Sequence, residues 1–402
     1  MTLSLTESLE QQQIPNMARA CNQPRRVIVY CDHLLYASET FIKAQASALT
    51  QYRAEFAGLR RVTGLDLVDG STHVMNQGGM MGHSAELMFK LWRRLPGKFV
   101  EGLKALSPAL IHAHFGADGY RALTLSARLC VPLIVTYHGS DATVLNLNHA
   151  KTPFGHRQYL RNREIVKVRV SRIIAVSQFV KAKLLEQGFP EDKITVHYIG
   201  ADTELFRPAQ YSRPRHVLFV GRLVERKGLE YLILGMECVQ NQLPDVELVV
   251  IGDGPLRSSM EAMARSRLRR YRFLGVQPPH VVREHLGQSL VFAGPSVKIA
   301  SGEEEAFGMV FAEAQSMEIP VVSFASGGIG EAVEHRRTGL LAPERDWRTL
   351  GNYIAELIKD EPMRQNMGRA GRQRVLSLFD LKKQTLILED IYSRVLNGIV
   401  TV

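Results

Sequence analysis

HVLFVGRLVERKGLEYLILGMECVQ, residues 216–240, is the stretch whose reading decides the fold. HVLFVG (216–221) is a short apolar run ending in glycine, the pattern of a buried strand. GLEYLILGMECVQ (228–240) has the spacing of a helix. Arg222 and Lys227 lie in the turn between them. Strand, turn and helix repeat on both sides of this unit. Downstream come strands at VELVVIG (246–252), YRFLG (271–275) and PVVSFA (320–325), an apolar stretch SLVFAGPS (289–296), and helices at MVFAEAQSM (309–317) and IGEAVEH (329–335). Upstream, RVIVYC (26–31), ALIHAHF (109–115), PLIVTYH (132–138), RIIAVS (172–177) and KITVHYI (193–199) read as strands. FIKAQASALTQY (41–52), GYRALTLSARLC (119–130) and QFVKAKLLEQGF (178–189) read as helices between them. Such alternation predicts parallel sheets covered on both faces.

The turn-rich GADTELFRP (200–208) separates the two series. With 402 residues the chain exceeds what one core usually serves. The expected organisation is a disordered tail (1–24), a first domain (25–199), a linker (200–212), a second domain (213–384) and a long amphipathic helix (385–402). Hydrophobic residues are 45% and charged residues 22% of the chain, an ordinary globular balance. Cys21, Cys31, Cys130 and Cys238 form no CxxC pair, which points away from a zinc ribbon or disulfide framework and toward reduced, cytoplasmic thiols. The N-terminal MTLSLTESLEQQQIPN lacks the basic and apolar regions of a signal peptide, and no apolar run reaches the ~20 residues that span a bilayer.

The net charge of +10 is uneven: residues 1–200 hold 24 Lys and Arg against 15 Asp and Glu, residues 201–402 hold 26 against 25. The basic half suits an anionic membrane surface or a lipid phosphate. It carries no nucleic-acid-reading motif, so no nucleic-acid partner is expected. SAELMFKLWRRLPGKFVEGLKAL (84–106) sets Lys90, Arg93, Arg94, Lys98 and Lys104 among apolar residues including Trp92 and Phe99. It reads either as a membrane-interface segment or as two core helices with basic outer faces, broken at Pro96-Gly97.

Four motifs carry chemistry in the second half. Glu305 and Glu313 bracket EAFGMVFAE, Glu305 before a helix start and Glu313 two turns on. Alone, this is a solvated acidic loop leading into a helix. Gly327-Gly328 follow a strand and open a helix near Ile329. Such a start holds phosphate on free N–H groups, or is only a tight turn. Arg222 and Lys227 suit a diphosphate, or are plain surface cations. IGDGPLR (251–257) adds a turn. His112 and His114 face one side of their strand, but no third ligand is nearby and no metal is assigned.

In this order GRLVERKG, IGDGPL, EAFGMVFAEAQ and GGIGEAVEHRRTGLLAP resemble glycosyltransferase family 4, retaining enzymes of the fold called GT-B. The resemblance runs from about residue 26 to 345. SETFI (38–42), HAHFG (112–116) and YHGSD (137–141) look like the family's acceptor-side pieces. The resemblance implies two Rossmann-like domains facing a cleft, with the last helix crossing back onto the first domain. It implies a nucleotide-sugar donor as substrate, a glycan or lipid-linked acceptor of bacterial polysaccharide assembly, and no cofactor. Arg222 and Lys227 would neutralise the leaving diphosphate. Glu305 would hold donor-sugar hydroxyls and Glu313 the ribose. Backbone N–H groups of Phe307, Gly308, Met309 and Val310 would orient sugar and phosphate, with Gly328 at the phosphate turn and Gly275 and Val276 near the base. His138 would sit at the reacting carbon, with Ser38, Glu39, His114 and Asp141 on the acceptor side. No DxD occurs, the motif with which enzymes of the other main transferase fold carry the diphosphate's cation. Two departures stand out: DHLLYASET (32–40) has no glycine, and Ile199-Gly200 replaces the common Asn-Gly of the linker. The rivals are a sugar-nucleotide epimerase of the same fold and a non-catalytic nucleotide-sugar or glycan binder.

Overall fold

The computed structural model describes residues 24–36, 38–67, 69–145, 153–208 and 214–398. The expected tail (all but Pro24), Cys21, the end of the expected linker and the last four residues lie outside the described residues. The strands are β1 (Arg25–Tyr30), β2 (His33–Leu34), β3 (Tyr52–Gly58), β4 (Arg60–Arg61), β5 (Thr72–Val74), β6 (Leu110–His114), β7 (Leu133–Tyr137), β8 (Arg172–Ala175), β9 (Ile194–Val196), β10 (His216–Val220), β11 (Glu247–Ile251), β12 (Tyr271–Phe273), β13 (Val291–Ala293), β14 (Val321–Phe324) and β15 (Gly339–Ala342). One sheet has the order β5-β3-β1-β6-β7-β8-β9 and the other β12-β11-β10-β13-β14-β15, with β2 and β4 paired apart. Neighbouring strands run parallel, as in the pairs β1·β6 and β10·β13. Both sheets reverse their order of growth there, beside the first strand of each domain. That reversal opens a crevice at the carboxyl ends of the strands, where ligands of such sheets bind.

The strands form where both faces are covered. Val27, Ile28, Val29 and Tyr30 are at most 2% exposed, so no polar alternation survives. β3 departs from the sequence reading, which ran a helix through residue 52; that helix stops at Ser47. In YRAEFAG the charges of Arg53 and Glu55 interrupt the apolar run. The strand tolerates Glu55, only 2% exposed, because Arg26, Arg53 and His73 surround its carboxylate.

The last helix, Leu381–Leu396, starts four residues earlier than expected because Asp380 caps it, accepting from Lys383 N at 3.0 Å. Two chain crossings run side by side here. Ala201 N donates to Phe379 O and Leu381 N to Ala201 O. A Cβ on Gly200 would lie 2.5 Å from Leu381 Cα, so only glycine allows this approach. Leu388, Ile391 and Tyr392 then pack on Val27, Tyr52, Leu110, Ile134 and Ile174 of the first sheet. Glu389, fully buried, accepts Thr50 N (2.6 Å), Thr50 Oγ1 (2.9 Å) and Gln51 N (2.7 Å).

Glu389→Ala leaves two backbone amides and a hydroxyl without an acceptor. It is expected to lower stability by about 3 kcal/mol, read as an earlier denaturant midpoint for the first domain.

Candidate functional site

The crevice of the second domain is built by the loops after β10 and β13. The turn Glu225–Lys227 ends at Gly228, whose φ is +62°. A Cβ there would lie 2.0 Å from Pro295 O. The cationic turn therefore seats directly on the 294–297 loop, which also takes Val297 N to Arg226 O at 2.8 Å. This seating brings Arg226 and Lys227 to Glu305. One carboxylate oxygen of Glu305 accepts from Arg226 Nη1 (2.8 Å), Ser296 Oγ (3.0 Å) and Lys227 Nζ. Burial alone would raise the Glu305 carboxyl, but Lys227 and Arg226 bring it down to about 2. The run Glu303 to Glu305 does not repel itself, because cations meet every member: Arg226 bridges Glu303 (2.9 Å) and Glu305, Lys227 joins Glu305, and Lys298 meets Glu304 at 3.1 Å.

The structure thus pairs Lys227 with Arg226 rather than with Arg222. Arg222 is exposed and has no ion pair among the described residues. Sequence reading missed Arg226; three adjacent carboxylates were the signal that more cations had to be near.

Glu313 lies on the helix Met309–Ser316 and has no ion pair among the described residues. Burial without a counter-charge raises its carboxyl to about 7. Gly308 (φ +83°) precedes that helix. The Phe307 side chain is buried against Tyr198 and Phe379. Gly327 and Gly328 fit against the same loop: Gly328 N donates to Glu305 O at 2.8 Å, and a Cβ on Gly328 would sit 1.9 Å from Ala306 O. Gly275 (φ +67°) follows β12, with Val276 exposed beside it.

On the other side, β6 and β7 present a histidine row. His114 Nδ1 lies 3.0 Å from His138 Nε2, and the rings stack at 5.3 Å. His112, below, touches Thr136 Oγ1 at 2.6 Å and Tyr392 OH of the last helix at 2.7 Å. His138 is wedged between Phe41 and Phe115, and its Nδ1 has no partner among the described residues. Burial, with His112 nearby, lowers its pKa to about 3, so the ring is neutral. Asp141 lies beside His138, where its carboxylate accepts the N–H groups of Gly116 (2.9 Å), His138 (3.0 Å) and Gly139 (2.8 Å) and so holds the His138 turn. Ser38 is exposed. Glu39 caps its own turn through Tyr36 N (2.9 Å), and burial raises its carboxyl. Asp32, paired with Arg121, and Asp118, which accepts Asp32 N at 2.9 Å, were not foreseen beside it. No three His, Cys, Asp or Glu side chains gather as metal ligands among the described residues.

The two sides meet. Gly139 (φ +127°) lies so near Ala306 that a Cβ would stand 2.6 Å from the alanine's own. The residues after His138 and Glu305 therefore touch across the cleft. A groove of about 740 Å³ between the last helix and β8–β9, lined by residues such as Arg172, Ile387 and Arg394, contains none of the expected site residues.

With this geometry in hand, comparison with known proteins gives the class. A family model described as glycosyl transferases group 1 matches residues 201–374, and one described as Glycosyltransferase Family 4 matches residues 77–205. The chain belongs to the family 4 glycosyltransferases. Among relatives, it is 30% identical over 267 residues to an uncharacterized glycosyltransferase of Methanocaldococcus jannaschii, covering 66% of this chain and 69% of that one. It is 27% identical to the amylovoran biosynthesis glycosyltransferase AmsK of Erwinia amylovora (66% and 65%). It is 29% identical to the putative colanic acid biosynthesis glycosyltransferase WcaL of Escherichia coli (60% and 60%). The chain thus spans less than two thirds of the length of AmsK and of WcaL. The fold matches HepE of Anabaena with a TM-score of 0.74 at 19% identity, over 92% of this chain and 99% of that one. It matches sucrose-phosphate synthase of Thermosynechococcus elongatus with 0.74 at 22%, over 93% and 100%. The architecture is GT-B.

The two opposed carboxyl shifts set a pH signature. Glu305, depressed, contributes stability that is full above about 4.5 and lost as pH falls toward 2. Glu313, raised, keeps a proton that the unfolded chain has lost, so its burial costs stability increasingly from pH 4.5 up to 7. Glu313→Gln is expected to gain on the wild type by a few degrees of melting temperature at pH 8 and by almost nothing at pH 4.5. Equal differences at both pH values would contradict the assignment.

Proposed function

We propose that the chain is a retaining, metal-independent transferase that moves a hexose-type sugar from a UDP- or GDP-linked donor to a growing, lipid-linked bacterial surface polysaccharide. One observation carries the reading. Two switch-point crevices face each other across the Gly139–Ala306 contact, with Arg222 and Glu313 uncommitted on one side and His138 on the other. The polymers in the names of AmsK and WcaL support the acceptor class. HepE was solved with UDP and glucose, which supports a nucleotide-sugar donor.

In this reading the donor diphosphate lies over the turn 222–228 and the Gly327–Gly328 turn. Arg222 and Lys227 meet the negative charge that grows as the bond from the sugar's anomeric carbon to the phosphate oxygen breaks. The acceptor hydroxyl attacks from the same face. Its proton passes to the departing phosphate oxygen, giving a glycoside of unchanged configuration and a nucleoside diphosphate. Glu313, ionised above about pH 7, accepts from ribose hydroxyls. Neutral His138 adds no charge beside the reacting carbon. Release of nucleotide from a panel of UDP-, GDP- and ADP-sugars, with and without bacterial lipid, tests the reading. One donor is expected to respond, lipid to raise the rate, and Lys227→Ala to lower it by ~10²–10³. Folded protein that neither binds nor cleaves any donor would refute it.

The acceptor side also supports contact with an anionic membrane at its cytoplasmic face. Helix Gly79–Trp92 leaves Met80, Met81, Leu87, Leu91 and Trp92 exposed, and no helix among the described residues is long and apolar enough to cross a bilayer. The adjoining helix Phe154–Arg169, tied to it by Gln158 Nε2 donating to Lys90 O at 2.8 Å, leaves Phe154, Ile165 and Val168 exposed. Exposed Arg94, Lys98 and Arg161 flank these residues. The two readings of 84–106 thus divide: Phe99 packs in the core, and Arg93 binds Tyr120 O, Arg121 O and Thr124 Oγ1 beneath the surface. Trp92→Glu with Met81→Glu is expected to abolish co-sedimentation with anionic vesicles while leaving nucleotide binding intact; unchanged sedimentation would remove the membrane from the proposal.

A further inference from the structure

Helix Gln178–Glu186 belongs to the first domain, and its N-terminus is completed by the second. The first N–H groups of a helix have no partner within it. Ser177 supplies one acceptor, its Oγ taking Val180 N at 3.1 Å. The acceptors for the two preceding amides come from Glu331: Oε2 takes Gln178 N at 2.7 Å and Oε1 takes Phe179 N at 2.7 Å. Tyr198 OH donates to the same Oε2 at 2.9 Å. A carboxylate at this position is favoured by charge-assisted bonds and by the helix dipole.

Glu331 stands on the short helix Ile329–Ala332, three residues beyond Gly328. That turn is locked to the loop bearing Glu305 through Gly328 N and Glu305 O. It also touches the first domain, since a Cβ on Gly328 would meet Ser177 Oγ at 3.4 Å. Arg374 Nη2 holds the Glu331 carbonyl at 2.8 Å, so the latch rests on a braced backbone. The segment expected to receive the donor phosphate and the segment that caps the opposite domain are thus one continuous turn.

We propose that Glu331 is a positioning residue that couples domain closure to the donor turn. Its three contacts all cross to the first domain, so they form only when the domains are closed. They hold Gly328, three residues away, in register with the Glu305 loop at the same moment. Glu331 touches no reacting atom; it acts by fixing how long the His138 crevice stays opposite the donor. This rests on the transferase reading, but one arm of its test does not need activity.

Glu331→Ala and the milder Glu331→Gln serve as variants, with Tyr198→Phe removing one contact only. In hydrogen exchange on the full chain, the amides of Gln178 and Phe179 are expected to exchange at least tenfold faster in Glu331→Ala. Val180, served by Ser177, is the internal control. In kinetics, kcat is expected to fall 10- to 100-fold in Glu331→Ala and less in the other two. The Kd for whichever of UDP or GDP the wild type binds is expected to stay within threefold. Unchanged exchange at 178 and 179, an unchanged kcat, or a nucleotide Kd that weakens in step with kcat would overturn the latch. A wild type without transferase activity would refute the transferase reading and leave the exchange result to decide the contact.

Discussion

A carboxylate taken out of water is costly unless charge and hydrogen bonds meet it, and Glu305, 8% exposed, is met by Lys227, Arg226 and Ser296 on a single oxygen. The surrounding backbone is arranged to make that possible. Gly228 lets the cationic turn close on Pro295, Gly327 lets the next turn lie against Glu305 O, and Gly139 brings the opposite domain to Ala306. In each case a side-chain carbon would collide with its neighbour at 2.0–2.6 Å. Segments 303–308, 221–228, 326–331 and 138–143 form one packed unit, and a change in any of them reaches the ion cluster.

The same short segment carries two carboxylates with opposite fates. Glu305 is driven down to about 2 by its cations, while Glu313, eight residues on, is raised to about 7 by burial. The first has its charge already neutralised within the protein. The second is half-buried and has no ion pair among the described residues. A cleft with one ion-paired and one unpaired acid is polarised before anything enters it.

The parallel sheets were legible in the sequence because their strands are buried on both faces and read as unbroken apolar runs between glycine-ended turns. Where a strand carries charge the pattern failed. β3 hid behind Arg53 and Glu55, whose compensating Arg26 and His73 come from β1 and β5. Helices Phe154–Arg169 and Glu361–Arg374 escaped notice because arginines crowd their apolar stripes. At the site, residue types were readable and partners were not. A lysine beside a strand and a glutamate before a helix can be named from spacing; that Arg226 rather than Arg222 joins them depends on how Gly228 seats the turn. Asp141 could be named beside His138 from the sequence, and only the fold shows its oxygens taken up by three backbone amides.

Helix Leu381–Leu396 supplies part of the covering of the first sheet, over Val27, Tyr52, Leu110, Ile134 and Ile174. Those residues leave the ribosome long before their cover does. Nascent chains fold domain by domain from the N-terminus, and exposed apolar surface on a waiting intermediate invites aggregation. In this chain the first domain to be synthesised is therefore the last to be finished, and the second domain closes its own core while the first still waits for its final helix.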